Sequence, residues 1–329
     1  MSRGAVLLAG ALAACAGPDV RPLGPDVEVL EAPADPAVVT DPGLRRAIDA
    51  TGLPWRVRHR PTGIELLLVP PMTFTRGAAP EDAEAAANER PAHPVAVKEP
   101  FYLGRYEVSG AEWAAVMGER PGYFSRAESV AGGGDGGGDG ADLPVESVSC
   151  FSAEAFARTA GLALPTESQW EAACRAGDPR PRYGDLDEVA WHRGNTASRP
   201  KERGTRRPNA LGFHDMLGNV WEWTRSGYSP DEYARHGDAA PDARGRVRGS
   251  ARVVLRGGSW FDPPKRARAS ARYATERDLA AGHVGLRVAL ELPVVPGATG
   301  TGTPDTRASD TGTSDVATPT PHQRTPKRP

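Results

Sequence analysis

The chain has 329 residues, 39% hydrophobic and 25% charged, with 38 glycines, 32 prolines and only 6% aromatic residues. That composition leaves room for one large domain or two ordinary ones. It excludes a helical bundle, because the glycine and proline impose loops and unstructured segments around a modest core. A formal net charge of −2, from 40 basic and 42 acidic residues, without a basic stripe interleaved with aromatics, argues against nucleic acid as a partner.

The first residues read as an address. Arg3 precedes an apolar run over 5–14 that is too short to span a bilayer, and small residues lead into Cys15. This is the order of a bacterial export signal. Leu12-Ala13-Ala14-Cys15 is similar to the lipobox of bacterial lipoproteins, in which the cysteine becomes the lipidated first residue. An ordinary cleaved signal that happens to contain a cysteine is the alternative. The lipobox reading makes 1–15 a signal peptide and Cys15 a membrane anchor. With Ala16 next, it places the protein on the periplasmic face of the outer membrane or at the cell surface. Residues 16–41, rich in Pro, Asp, Glu and Val without periodicity, read as a flexible tether. Export leaves Cys150 and Cys174 in an oxidising compartment, either paired or as two buried thiols. Neither lies in a CxxC, and no Cys/His spacing suggests zinc.

Residues 42–62 form a lead-in segment, with a short helix over 41–50. Strands are expected over Gly63–Val69, which Pro70-Pro71 ends, with a continuation at Met72, and again over 100–109. Three short helices follow from their caps: Ser109 with Glu112 and a stop at Gly118, Ser152 before Ala153–Ala160, and Thr166 with Gln169 before Gly177. Between the first two lies GGGDGGGDG over 132–140. It lacks the aliphatic position that stacks calcium-binding coils and reads as a surface insertion. Residues 178–210 and 228–249 read as long irregular loops. Strands are expected at Arg252–Leu255 and Val284–Leu290, and Arg266–Tyr273 is strand or helix. From Pro293 onward the Thr/Pro-rich tail, 293–329, reads as disordered.

The densest stretch is Leu211–Trp223, LGFHDMLGNVWEW. As an extended segment it places Trp221 and Trp223 on one face and Glu222 on the other, after a Gly218-Asn219 turn. Asn219 and Glu222 offer oxygens to a hard cation such as calcium. The competing reading is a buried turn with Glu222 salt-bridged to an arginine.

Taken in order, ERPAHPV (89–95), YEVSGAEW (106–113), LPVESVS (143–149), ALPTESQWEAACRAG (163–177), PNALGFHDMLGNVWEW (208–223), RVVLRGGSW (252–260) and GLRVAL (285–290) resemble the formylglycine-generating enzyme family, the sulfatase-modifying factor domains. The resemblance covers 63–292 and implies a single loop-rich α+β domain of C-type-lectin-related fold. Family enzymes use oxygen and copper on two cysteines to convert a sulfatase cysteine, in a CxPxR motif, to formylglycine. Copper(I) suits soft thiolates. Those cysteines follow the RGGS-aromatic segment, where this chain has none, and Asp262 stands where the first is expected. Copper is therefore not expected. The iron-dependent sulfoxide synthases of the family add a histidine-rich domain, which the seven histidines here, without an HxxxE-type cluster, do not lead one to expect.

The resemblance also implies a structural calcium on Asn219, the Val220 carbonyl and Glu222, and a second calcium on Asn195 with the Thr196 carbonyl, for which no acidic partner is evident. The expected function is a non-catalytic binding or scaffolding module of the bacterial envelope, a pseudoenzyme taking a protein, peptide or glycan. The alternative is a formylglycine-generating-type oxidase or related enzyme with a diverged site around Ser259, Asp262, Arg268 and Arg272. Against that alternative, Arg256 and Arg272 read as salt-bridge anchors, Ser259 as a turn hydrogen-bonder, His214 as a packing or surface residue and His93 as a loop closure.

Overall fold

A computed structural model describes residues 23–125, 142–235 and 251–292. The signal peptide with Cys15, the insertion at 132–140 and the tail at 293–329 lie outside the described residues. The first element is not where the domain was expected to begin. Val27–Glu31 (β1) pairs antiparallel with Arg56–His59 (β2), inside the stretches read as tether and lead-in. Three aliphatic positions in VEVLE were too few to reveal a strand. Its glutamates nonetheless pair across the edge, Glu31 with Arg56 at 2.9 Å and Glu28 with Arg58 at 3.4 Å. Between the two strands Pro42–Asp49 (α1) is capped by Asp41, whose carboxylate accepts from Leu44 N–H. Ala34, Val39, Ile48, Leu53, Trp55 and Val57 are all buried. Residues from 23 onward thus belong to the body of the domain.

Glu65–Val69 (β3) continues the sheet, as expected from GIELLLV. Met72–Arg76 (β4) does not extend it. Pro70-Pro71 turns the chain, and β4 makes a separate hairpin-like pair with His93–Val97 (β5). Phe101–Gly104 (β6) returns to β3. Gly110–Met117 (α2) has the Ser109/Glu112 capping box and a left-handed Gly118, both expected. The next helix, Cys150–Thr159 (α3), starts earlier than expected: Ser149, not Ser152, is the cap, accepting from Ser152 N–H at 3.1 Å. Trp113 of α2 stacks on Phe156 of α3, with ring centroids 5.0 Å apart. Glu167–Arg175 (α4) carries the expected Thr166/Gln169 box.

Within 178–210 the chain is mostly turns, broken by Leu186–Val189 (α5) and Ala190–Trp191 (β7). β7 runs parallel to Leu217–Gly218 (β8). Trp221–Gly227 (β9), Glu232–Arg235 (α6), Arg252–Arg256 (β10) and Arg272–Glu276 (β11) follow, with a short 3-10 turn at Pro264–Arg266. The single strand expected over 284–290 is two. Val284–Gly285 (β12) lies parallel to β9, and Ala289–Glu291 (β13) antiparallel to β6. The result is a five-stranded sheet β1-β2-β3-β6-β13 and a four-stranded sheet β11-β10-β9-β12, joined through the buried residues Leu286, Arg287 and Val288. No helix among the described residues is long and apolar enough to cross a membrane.

Candidate functional site

The central stretch runs from β8 to β9 through a turn that demands its residues. Gly218 has φ +85°, and a Cβ there would meet the Trp191 carbonyl oxygen at 2.1 Å, so only glycine fits. Asn219 follows at φ +55°, a region asparagine tolerates better than most side chains. Its N–H donates to Trp191 O at 2.8 Å and its carbonyl accepts from Trp260 N–H at 2.7 Å. The turn therefore stitches β7 to the RGGSW segment.

β9 then places Trp223 and Trp221 on one side and Glu222 on the other, all buried. Glu222 accepts from Arg287 Nε at 2.6 Å and Nη2 at 2.7 Å, and from Trp170 Nε1 at 2.6 Å. This bidentate pair is the salt-bridged arrangement, not a free metal ligand. Arg287 spends its other donors on the carbonyls of Gly104 and His214. Asn219 is equally occupied. Its side-chain oxygen accepts from Lys201 N–H at 2.9 Å, and its amide donates to Glu107 Oε2 at 2.7 Å. The structure does not present Asn219 and Glu222 as a ligand pair, because a carboxylate on one side of the turn and a guanidinium on the other have claimed them.

Two residues that the sequence reading passed over complete this locus. Glu107, fully buried, accepts from Asn219 and, at 3.1 Å, from Val220 N–H. Burial, followed by the charges of Asp215 and Glu222, pushes its pKa well above the usual carboxylate range. Asp215 accepts from Gly204 N–H at 2.6 Å through Oδ2, while its buried Oδ1 has no partner. Burial raises its pKa to about 6. Three interior carboxylates thus surround one fully buried guanidinium, Arg287, an excess of negative charge that a proton or a cation must offset. Both Glu107 and Asp215 sit inside the quoted motifs YEVSGAEW and PNALGFHDMLGNVWEW. The signal was present, but a lone acid in a motif does not say which acids meet. His214 is a packing residue, as expected: Nδ1 lies 2.8 Å from Arg206 O, and burial lowers its pKa to about 4.

Asn195 closes a turn. Its oxygen accepts from His192 N–H at 2.9 Å, and its amide donates to Asp187 and to the Ala190 carbonyl. Thr196 donates its hydroxyl to Trp260 O at 3.3 Å. The acid beside Asn195, Asp187, accepts from the Asn195 amide while the Asn195 oxygen is taken by His192 N–H, so oxygens for a second calcium are not presented together. Among the described residues, no three His, Cys, Asp or Glu side chains converge closely enough to cage a metal ion.

At the diverged locus the structure does bring Ser259 and Asp262 together. Asp262 Oδ2 accepts from Trp221 Nε1 at 2.8 Å and from the Ser259 hydroxyl, which in turn accepts from Phe261 N–H. Arg268 and Arg272 are committed elsewhere. Arg268 donates to both oxygens of Glu89 at 2.7 and 2.8 Å. Arg272 pairs bidentately with Glu167 at 2.6 and 2.9 Å and with Glu232 at 2.7 Å. They are anchors. A copper(I) centre does not fit these residues, because Asp262 offers a hard, already hydrogen-bonded oxygen. Cys150 and Cys174 are free and buried in different helices, and burial raises both thiols to about 12. Beside Asp262 runs a chain of rings, Tyr123–Phe124–Trp260–Phe261–His283, with successive centroids 5.0–5.5 Å apart. Tyr123 and Phe261 are exposed.

The family model described as sulfatase-modifying factor enzyme 1-like domain matches residues 55–292. Hercynine oxygenase of Mycolicibacterium smegmatis is 34% identical over 272 residues, 68% of this chain and 60% of that protein. The formylglycine-generating enzyme of Thermomonospora curvata is 29% identical over 69% of this chain and 93% of its own length. The inactive C-alpha-formylglycine-generating enzyme 2 of Mus musculus is 33% identical over 48% of this chain. The chain spans about half to three fifths of the hercynine oxygenases it matches. Among solved structures, Treponema denticola variable protein 1 and PvdO of Pseudomonas aeruginosa each superpose with a TM-score of 0.60 at 22% identity, covering 69% and 70% of this chain.

Proposed function

The chain belongs to the sulfatase-modifying factor family, and on that premise we propose that it is a non-catalytic binding module, held at a bacterial envelope by lipid on Cys15, whose partner is an envelope protein, peptide or glycan. The observation that carries this reading is Asp262, a carboxylate tied to Trp221 and Ser259 where the family enzymes need a soft thiolate. The exposed rings of Tyr123 and Phe261 beside it supply the aromatic surface that a recognition face uses. Family membership does not by itself carry activity, since function resides in the site and not in the fold.

The second reading is an oxidase of the formylglycine-generating type with a diverged site, favoured by the resemblance to the Thermomonospora enzyme over most of that protein's length. One assay separates the two. The purified chain is incubated with oxygen, copper(I) and a CxPxR peptide, beside an active family enzyme, and the peptide mass is read. The binding-module reading expects no conversion by folded protein. Formylglycine above the no-enzyme control would remove that reading and direct attention to Asp262.

Structural calcium, expected on Asn219, the Val220 carbonyl and Glu222, also belongs to this proposal, and since Asn219 and Glu222 are hydrogen-bonded within the fold the nearby Asp215 is added as a donor. The orphaned Oδ1 of buried Asp215, amid the charges of Glu107 and Glu222, is the oxygen left over to meet a hard cation. Asn195 is not part of it.

A further inference from the structure

At the β10–β11 end of the four-stranded sheet lies a cavity of about 520 Å³ that none of the groups above explains. Such a volume suits a small organic ligand. Its shape follows from strand register. Arg252 lies opposite Glu276, and Arg256 opposite Arg272, so Arg252, Ala274 and Arg272 share one face of the sheet. Alanine at 274 leaves the space between the two arginines unfilled. Tyr228, just beyond β9, forms a side wall, its ring centroid 5.0 Å from the Arg252 guanidinium carbon and 5.3 Å from that of Arg272. Tyr273 lines the rim.

The polar groups here have a consistent sign. Three arginines and no aspartate or glutamate appear among the described lining residues. The charge of Arg272 is already balanced by Glu167 and Glu232. Arg266, half-buried on the turn after Pro264, is different: no described residue gives its guanidinium a hydrogen bond or ion pair. An arginine partly withdrawn from water, facing a concavity with no acid among its described lining residues, has no described anion to offset its desolvation. Asn88 adds a polar floor. Its amide nitrogen lies 3.1 Å from the Tyr228 hydroxyl, and its buried Oδ1 has no partner.

We infer that this cavity binds a small ring-bearing monoester of sulfate or phosphate, its oxyanion received by the Arg266 guanidinium and its ring lying beside the Tyr228 side wall in the space over Ala274. A planar guanidinium fork matches a tetrahedral oxyanion through paired N–H donors, and Tyr228 gives a flat wall with a polar tip. The inference does not depend on whether the Asp262 locus has activity, since binding here and formylglycine formation are read separately.

The test is equilibrium binding of p-nitrophenyl sulfate, p-nitrophenyl phosphate and p-nitrobenzoate to the whole chain at low salt. Both esters are expected to bind saturably, more weakly as salt is added. Arg266→Ala is expected to weaken them about tenfold, with Arg266→Lys in between. Ala274→Phe, which fills the cavity and leaves Arg266 intact, is expected to abolish binding while the near-UV spectrum stays native. A preference for one ester identifies which oxyanion the site takes. No saturable binding of either ester up to about 10 mM overturns the proposal, since weaker association is below any specific site. Binding unchanged by both Arg266→Ala and Ala274→Phe overturns it equally. Nitrobenzoate binding as tightly as the esters overturns the oxyanion assignment.

Discussion

Asp215 shows how one misplaced charge becomes a measurable property. Its carboxyl has an ordinary value of 3.8 and is raised to about 6 in the fold, chiefly by burial. Between those values the folded chain holds a proton that the unfolded chain has released. Stability from this group is therefore complete below about pH 3.8 and is lost as pH rises through 6, by ~3 kcal/mol. Asp215→Asn keeps the shape and removes the titration, so its urea midpoint is expected to lack that decline between pH 4 and 6. A calcium ion on Oδ1 would favour the carboxylate. Millimolar calcium is then expected to raise the wild-type midpoint at pH 7 and to raise that of Asp215→Asn much less. Equal gains in both proteins would move the ion elsewhere.

Helix α4 is the element on which the buried ionic network depends. Glu167 and Glu171 project from it into Arg76, Arg175, Arg256 and Arg272, with Arg76 2.5 Å from Glu167 and Arg175 2.8 Å from Glu171. Though burial opposes ionisation, the charges of Arg272, Arg76 and Arg256 prevail, and Glu167 titrates at about 2 instead of 4.5. The sign is opposite to that of Asp215. This contribution is complete above pH 4.5 and is lost as pH falls toward 2, by ~3 kcal/mol. Glu167→Ala leaves three arginines short of a partner and is expected to cost about 3–5 kcal/mol at neutral pH, read from denaturant unfolding. A loss below about 1 kcal/mol would mean that Glu171 and Glu232 can carry the network without it. The capping boxes of α2 and α4 were legible because they are local, three residues apart. The network was not, since Glu167 and Arg272 are 105 residues apart.

At the scale of the whole molecule, the five-stranded sheet decides where the domain begins. A fragment starting at Gly63 lacks β1, α1 and β2 and leaves β3 as an open edge beside the cavity vacated by Trp55 and Val57. It is expected to be unfolded or aggregating. The fragment 23–292 is expected to give a native near-UV spectrum and resist limited proteolysis. Native behaviour from the shorter fragment would show that β1 and β2 are dispensable.

Family, fold class, the capping boxes of α2 and α4 and the absent thiols at the copper position were determined by sequence, because each rests on short-range grammar or on which residue types are present. The alternation in WEW likewise revealed that Glu222 leaves the tryptophan face. What Glu222 meets there was decided only by tertiary structure. Arg287 arrives from 65 residues away on the connection between the two sheets, and Trp170 from α4. The same holds for the convergence of Glu107 with Asp215, and for the space that Ala274 leaves between two arginines. A side chain's type states what it can bind. Its partner is set by strand register and by the crossing of chain segments distant in sequence, which no local pattern encodes.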